Sequence, residues 1–551
     1  YGSDAIGGTV NALTRSPLDS LEESFGGRLL YRGATGERSH IGRAELFGNV
    51  DNTFGYSFGL SLKDFGGLEG GQEVGRQKDT GYGEYDADIK LEYQLDAGTR
   101  LIAAYQRVRQ NNVPRTHKTI HGIDWEGLTV GSELQRDLDQ ERDFVYLQLV
   151  RDDLTDFIDH ARIGVSWHEQ SELRHRVRSR GADRQGFYVG QIGAMAQFES
   201  LTSLGRFVYG LDYYHDHVNS FSSRNPIQGP VADDAGYDLF SLYLQGAFPL
   251  ASDKLELVLG GRFNYAAADA DSVQEPNTGA KTDLDEEWDS FVGNARLIWH
   301  IDPGYHYHWF AGVSQGFRAP NLSDLTRFDS ARTNEFETPA TGLDPEYFLT
   351  YETGLKVDYE DLFAEVAYFY TTIDDMIIRF PTGNTIGGNF EVTKDNVGDG
   401  YVHGVELSGD YRFHPQWTVF TGLSWMYGEV DTYPTAAQVE ESEPLDRLMP
   451  PSGHLGLRWD HPSGQLWVEG LLDFADEADE LSTRDKSDTS RIPSGGTPGY
   501  QVLSFYAGWQ PSENISLNLA LENVFDEDYR IHGSGLNEPG RNLIAQLEYR
   551  F

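Results

Sequence analysis

The chain predicts an all-β fold: a transmembrane antiparallel β-barrel of about 22 strands, with long extracellular loops and short periplasmic turns. Three observations carry that expectation. Apolar and polar residues alternate with period two in many segments long enough to cross a bilayer obliquely. Short turns and long polar connections alternate strictly along the chain. The last strand ends on an aromatic residue, Phe551.

The alternation is clearest in a few segments. Tyr85, Ala87, Ile89, Leu91, Tyr93 and Leu95 interleave with Asp86, Asp88, Lys90, Glu92 and Gln94. Leu255 to Tyr265 repeats the pattern, with Val258 on the polar parity, and so do Leu503 to Trp509 and Ile515 to Leu521. At the terminus Leu543, Ala545, Leu547, Tyr549 and Phe551 share one parity. Asn542, Gln546, Glu548 and Arg550 share the other, with Ile544 the one apolar exception. Side chains alternate faces along a strand, so each strand is oily on one face and charged on the other. In water such an edge is an aggregation hazard. In an outer-membrane barrel one face meets lipid and the other a polar lumen. A soluble sandwich could hold one or two such strands, but not one polar parity over so many.

The connections are an independent test. Short turns fall at Val50 to Asn52, Asp96 to Gly98, Asp152 to Leu154, Ser200 to Gly205, Leu250 to Asp253 and Asp302 to Gly304. They continue at Asp358 to Asp361, Phe413 to Gln416, His461 to Gly464 and Gln510 to Asn514. Longer polar segments lie between them, at 65–79, 111–139, 171–185, 219–236, 267–287, 318–346, 381–390, 430–447, 475–498 and 526–540, after a shorter one near Gly33 to Ser39. A barrel of about 22 strands has a lumen too wide for side chains to fill, and barrels of that size are plugged transporters.

Composition narrows the class further. The 551 residues include no cysteine, which excludes disulfides and thiolate metal sites. Mean hydropathy is −0.50, and no apolar run reaches the about 18 residues of a membrane-spanning helix. The 13% aromatic content and 61 glycines suit strands with aromatic girdles and tight turns. A net charge of −43 excludes a nucleic-acid binder, which would carry a basic stripe. No signal peptide precedes Tyr1, so the chain reads as processed or truncated.

Several motifs carry a resemblance. Tyr1 to Asn11 (Tyr-Gly-Ser-Asp-Ala-Ile-Gly-Gly-Thr-Val-Asn) is followed much later by Ser314 to Leu322, which contains Phe317-Arg318-Ala319-Pro320. Gly404-Val405-Glu406 lies in the strand from Asn396 to Leu407, Leu521 to Tyr529 precedes the last strand, and Tyr549-Arg550-Phe551 ends it. In content and order these resemble the TonB-dependent outer-membrane receptors. The resemblance implies that residues 1–18 are the end of a plug domain with its connection, and that 19–551 form the barrel. It implies the cell outer membrane of a Gram-negative-type bacterium and a TonB-type energy-coupling complex as partner. It also implies barrel-assembly machinery that reads Phe551, contact with outer-membrane lipid, and a monomer that takes up a small-molecule ligand rather than an enzyme. Two departures stand out. The family's Asn-Pro-x-Leu segment is reduced to Gly342 to Glu346, and residues 321–341 lack the histidine usual in the haem branch.

Candidate ligand residues follow from charge. Arg174, Arg176, Arg178, Arg180 and Arg184 fall in one predicted extracellular loop, and Arg115, His117, Lys118 and His121 in another. Guanidinium forks recognise anionic carboxylate or catecholate oxygens. The competing reading is pairing with acidic loops or lipid phosphates. These arginines point to an anionic metal chelate such as a ferric siderophore, with cobalamin, haem, oligosaccharide or a passive porin-like channel as alternatives. Acidic clusters at Asp269 to Asp289 and Asp473 to Glu480 suggest loop-bound Ca²⁺, but without EF-hand spacing the solvated charge run is the plainer reading. No other cofactor or metal is expected. His306 and His308, like His215 and His217, share a face two residues apart; Tyr305, Tyr307 and Trp309 read as a lipid girdle, which turns the first pair toward the lumen. Gly312 to Gly316 matches Gly-x-Ser-x-Gly, but the strand runs on where a hydrolase needs an elbow.

Overall fold

A computed structural model describes residues 7–20, 24–251, 254–276, 278–332 and 334–551. Among them, 22 long strands pair antiparallel in chain order from Gly26–Ala34 to Asn542–Arg550 and close into a barrel. Closure runs through Arg28↔Arg550 to Ala34↔Ile544. Beyond the ladder Gly27 and Phe551 exchange two backbone hydrogen bonds of 2.8 and 3.0 Å. Three short strands, Asp329–Ser330, Glu335–Glu337 and Glu441–Pro444, belong to extracellular loops.

Parity sorts the wall as its alternation predicts. Leu29, Tyr31, Leu60, Leu147, Ile163, Val165, Leu244, Phe291, Leu355, Leu543 and Leu547 face outward and exposed, forming the lipid band. The inward parity carries charge. Arg28 bonds Glu45 at 2.7 Å and reaches Glu548 at 3.4 Å across the seam. Arg43 reaches Glu45 and Asp88 at 2.6 and 2.8 Å. Trp299 and Trp309 are cross-strand neighbours in register on the girdle side, with Tyr307 two residues before Trp309 on the same face, while His308 faces inward against His300 at 2.6 Å. His306 instead sits in the turn and bonds Asp302 at 2.9 Å. His215 lies on the outer face beside Tyr213, both bonded to Asp238.

Three predicted loops are mostly strand. His160–Arg178 and Gly181–Thr202 meet at the two-residue turn Ser179-Arg180, so 171–185 is a hairpin tip. Leu255–Gln274 and Lys281–His300 likewise absorb most of 267–287, and Leu362–Ile386 with Asn389–His414 absorb 381–390. Above the lipid both faces of a strand meet water or other loops, so no apolar face is needed and alternation fades. The acidic residues of 267–287 therefore stand on strands, except Glu275, which lies in the connecting turn. Among the described residues no group of three or more acids or histidines is arranged to hold a cation. Ser314 lies inside the unbroken strand Tyr307–Arg318.

The long connection 319–345 folds back into the barrel. Pro320 ends the strand, and Asn321 caps the helical turn Leu322–Thr326 through a capping box with Asp324. Leu322, Leu325, Ala340 and Leu343 then bury against Ala266, Ala268, Ala270, Leu284 and Trp288. The three alanines are spaced by two on the inward face of Leu255–Gln274, and their small side chains leave room for the loop. Trp288 Nε1 donates to the Leu343 carbonyl at 2.8 Å, and Tyr237 Oη to the Pro320 carbonyl at 3.0 Å.

Of the Tyr1 to Asn11 motif, residues 1–6 lie outside the described residues, as do Ser252 and Asp253 of one predicted turn. Residues 14–19 run along the inner wall near the short-turn end. Ser16 Oγ donates to Glu92 at 2.5 Å, Lys90 to the Arg15 carbonyl at 2.9 Å, and Arg100 to Asp19 at 2.6 and 2.8 Å.

Candidate functional site

At the loop end of the lumen, chain segments distant in sequence enclose a cavity of about 440 Å³. Its lining carries seven cations, Lys118, Arg327, Arg332, Arg379, Lys394, Arg484 and Arg491, against four carboxylates, Glu337, Glu443, Asp446 and Asp488. In a chain of net charge −43 this is a strong local inversion. A positive cleft with low-dielectric walls focuses its field on anions.

Most of these cations are partly neutralised. Arg484 pairs with Asp446 at 2.8 Å, Arg327 with Glu337 at 3.4 Å, and Arg379 with Glu335 at 2.8 Å. Asp488 holds Arg491 at 2.6 Å and Lys118 at 3.7 Å. Burial pulls the Asp488 carboxyl upward, but Arg491, Lys118 and Arg447 hold it down at about 2. Arg332 differs: among the described residues it has no ion pair, only a hydrogen bond to the Pro434 carbonyl at 3.2 Å. Burial, then Arg379, lowers its guanidinium pKa. It is a charged fork with no carboxylate in direct contact, though Asp446 and Glu335 act on it at longer range.

The residues predicted from sequence distribute unevenly around this cavity. Arg174, Arg176 and Arg178 occupy alternate positions on the lumen-facing parity of His160–Arg178, opposite in phase to exposed Ile163, Val165 and Trp167. They converge with Arg224 on one carboxylate, Asp183, at 3.6, 3.1, 3.3 and 3.1 Å. Arg176 stands across from Arg136, and Glu133 touches both. Arg174 keeps Nε and Nη2 buried without hydrogen-bond partners; burial, then Arg176 and Arg136, pushes its pKa down to about 10. Arg180 is exposed at the hairpin tip. Arg115 is exposed and, among the described residues, without an ion pair; Arg136 and Arg491 on either side raise the positive potential around it. Together Arg174, Arg136, Arg115, Lys118 and Arg491 form a cationic strip that runs toward the cavity. Lys118 is the member of the sequence-predicted set that lines it. Arg327, Arg332, Arg379, Lys394, Arg484 and Arg491 were not anticipated, because they are scattered over distant segments and cluster only through folding.

His117 does not reach the cavity. It is buried in a second loop layer, where 66–81, 115–134, 476–499 and 523–541 pack together. Gln77 and Asn537 exchange hydrogen bonds of 2.7 and 3.1 Å, and Arg530 donates to Asn537 at 2.7 Å while lying 5.6 Å from the Trp125 ring centroid. Burial, then Lys118, Arg115 and Arg491, holds the His117 pKa down to about 3 from an ordinary 6.5. An opened loop binds the proton first, so this layer is fully stable above about pH 6.5 and loses stability as pH falls toward 3. Limited proteolysis between Thr116 and Leu134 is expected to be faster at pH 4.5 than at pH 7, and His117→Gln should flatten that difference. An unchanged pH profile in the variant would remove His117 from this role.

The family motifs have structural positions. Arg318 donates to both oxygens of Glu346 at 2.6 and 2.7 Å and to Asp324 at 2.7 Å, tying the two ends of 319–345. Phe317 and Ala319 are buried in the loop's core, next to Pro320. Glu406 faces the lumen, and Gly404 leaves room where a Cβ would meet the Trp425 carbonyl at 2.5 Å and the Phe369 ring at 2.8 Å.

A family model described as "TonB dependent receptor-like, beta-barrel" matches residues 31–524. The chain belongs to the TonB-dependent receptor β-barrel family. As a member it is an outer-membrane receptor barrel of the Gram-negative type. The TonB-dependent barrel is similar to the vitamin B12 transporter BtuB of Vibrio vulnificus, at 23% identity over 46% of this chain and 36% of that protein. It is also similar to the pesticin receptor of Yersinia enterocolitica, at 26% identity over 62% of this chain and 47% of that protein. The chain thus spans half or less of the length of these two relatives. Among solved structures, the copper transporter OprC superposes with a TM-score of 0.79 at 14% identity, over 98% of this chain and 82% of that one, a likeness of fold.

Proposed function

We propose that this receptor captures an anionic metal chelate of the ferric-siderophore kind and imports it by energised transport. The cationic cavity in a protein of −43 carries the reading. Guanidinium groups there are poised to bind chelate oxygens, and the strip through Arg115, Arg136 and Arg174 would guide anions inward. Residues 1–18 are the end of a plug, whose described part from Thr14 to Leu18 is seated on Glu92 and Lys90, and a TonB-type complex moves that plug to open the lumen. Arg180 is solvent-facing in this scheme, and Arg176 and Arg178 set the rim potential through Asp183.

Radiolabelled ferric chelate is expected to bind cells that make this receptor, and loss of the TonB-type partner should abolish uptake while sparing surface binding. Affinity should fall with salt, as the screening length contracts from about 10 Å at 0.1 M to about 3 Å at 1 M. Uptake that persists without the energy-coupling complex would instead indicate a passive channel.

A further inference from the structure

We infer that the cavity selects a compact polycarboxylate chelate over chelates that present aromatic rings; this rests on the uptake reading above. The first support is the chemistry of the wall. In a chain that is 13% aromatic, none of the 21 residues lining the cavity is Phe, Tyr, Trp or His. Its uncharged part is aliphatic or small, including Met376, Ile377, Ile378, Val430 and Leu445. A catecholate ring or a porphyrin would gain most from stacked or edge-on aromatic faces, which this wall does not offer. A carboxylate gains most from a planar guanidinium fork, with two parallel hydrogen bonds.

The second support is Arg332, the one cation of the lining that has no ion pair among the described residues. It enters from 319–345, where the burial of Leu322, Leu325 and Ala340 fixes the loop carrying it. Elsewhere in the lining, Arg484 is held by Asp446 at 2.8 Å and Lys394 by Glu337 at a loose 3.9 Å. An entering polycarboxylate would therefore meet one fork without an ion pair and several cations that can share their existing partners. The third support is size. At about 440 Å³ the cavity lies toward the lower end of the ligand-pocket range, about 300–1,000 Å³. With no histidine on the wall, recognition falls on the chelate's oxygens, and the metal stays inside its own ligands.

The test is direct binding to receptor purified from outer membranes, with four probes: ferric citrate, metal-free citrate, a ferric tris-catecholate and haemin. Ferric citrate is expected to bind most tightly. Arg332→Ala should weaken it about 10-fold or more, the range for losing a bidentate charge-assisted pair. Arg332→Lys, which keeps charge but loses the fork, should recover little of that loss. Metal-free citrate binding as tightly as the ferric complex would mean that the oxygens alone are read, which also supports the inference. Tighter binding of tris-catecholate or haemin, or an Arg332→Lys variant equal to wild type, would overturn it. Salt-sensitive tris-catecholate binding would leave the broader anionic-chelate reading standing, whereas failure of every anionic probe to bind would remove both.

Discussion

Arg318→Ala is expected to release the inward-folded segment 319–345 while leaving the barrel closed. The arginine makes three charge-assisted hydrogen bonds, two to Glu346 and one to Asp324. Glu346 is only 3% exposed, and it also accepts the Ile377 backbone N–H at 2.7 Å. Removing the guanidinium strands a buried carboxylate, and breaking such a pair costs about 3–5 kcal/mol. The Asp324 contact is lost as well, at the position that completes the capping box of Leu322–Thr326. Because the neighbouring strands keep their ladders, the loss should appear as local opening rather than global unfolding. Hydrogen exchange would show it: amides of 319–345 should lose about 100- to 1,000-fold in protection, with the lipid-band strands unchanged. Arg327, Arg332 and Glu337 would leave the cavity with the loop, so ligand binding should fall too. Full retention of protection would mean that the apolar contacts alone hold the segment.

Trp288→Ala attacks the same segment from the wall. The indole is 8% exposed, packs in the core under the loop, and donates to the Leu343 carbonyl at 2.8 Å. Large-to-small changes of this kind cost about 3–5 kcal/mol. The Leu343 carbonyl would also lose its donor. Trp288→Phe should fall between, since it keeps much of the apolar contact and loses the hydrogen bond, worth about 1 kcal/mol. Both residues act on one loop, so Arg318→Ala with Trp288→Ala should cost less than the sum of the two. A double-mutant cycle read by hydrogen exchange checks this. Strict additivity would show that the arginine and the indole hold independent units.

How much of this was legible beforehand follows from where parity holds. Within the bilayer each strand has one face in lipid, so the alternation of Leu543, Ala545 and Leu547 against Asn542, Gln546 and Glu548 was readable residue by residue. Above the bilayer that constraint lapses. The run from Ser171 to Gln185 therefore read as a loop, although Arg176 pairs in register with Asp183 across a two-residue turn. That register also hid how far Asp183 neutralises the arginines. The direction of their side chains was recoverable from Ile163 and Trp167 by counting in twos; the length of the strand was not. His117 and Lys118 are neighbours in sequence, yet one packs under Gly535 and the other lines the cavity. Such a separation depends on tertiary packing of four loops and leaves no local trace. Arg332 and Arg379 carried no signal at all until the 319–345 segment and the Leu362–Ile386 strand met.

The seam between Gly26–Ala34 and Asn542–Arg550 also bears on how the molecule comes into being. Its partners, Arg28 and Arg550, stand on the first and last strands of the barrel, so this contact has nearly the longest sequence separation within the wall. Every other wall contact joins neighbours in chain order and can form progressively as hairpins. The seam must wait for all of them, and such non-local closure is the slow step of a topology. Until it forms, two strand edges hold unpaired peptide groups, each costing several kcal/mol wherever it faces hydrocarbon. The nascent sheet therefore needs its edges sheltered until its two ends meet.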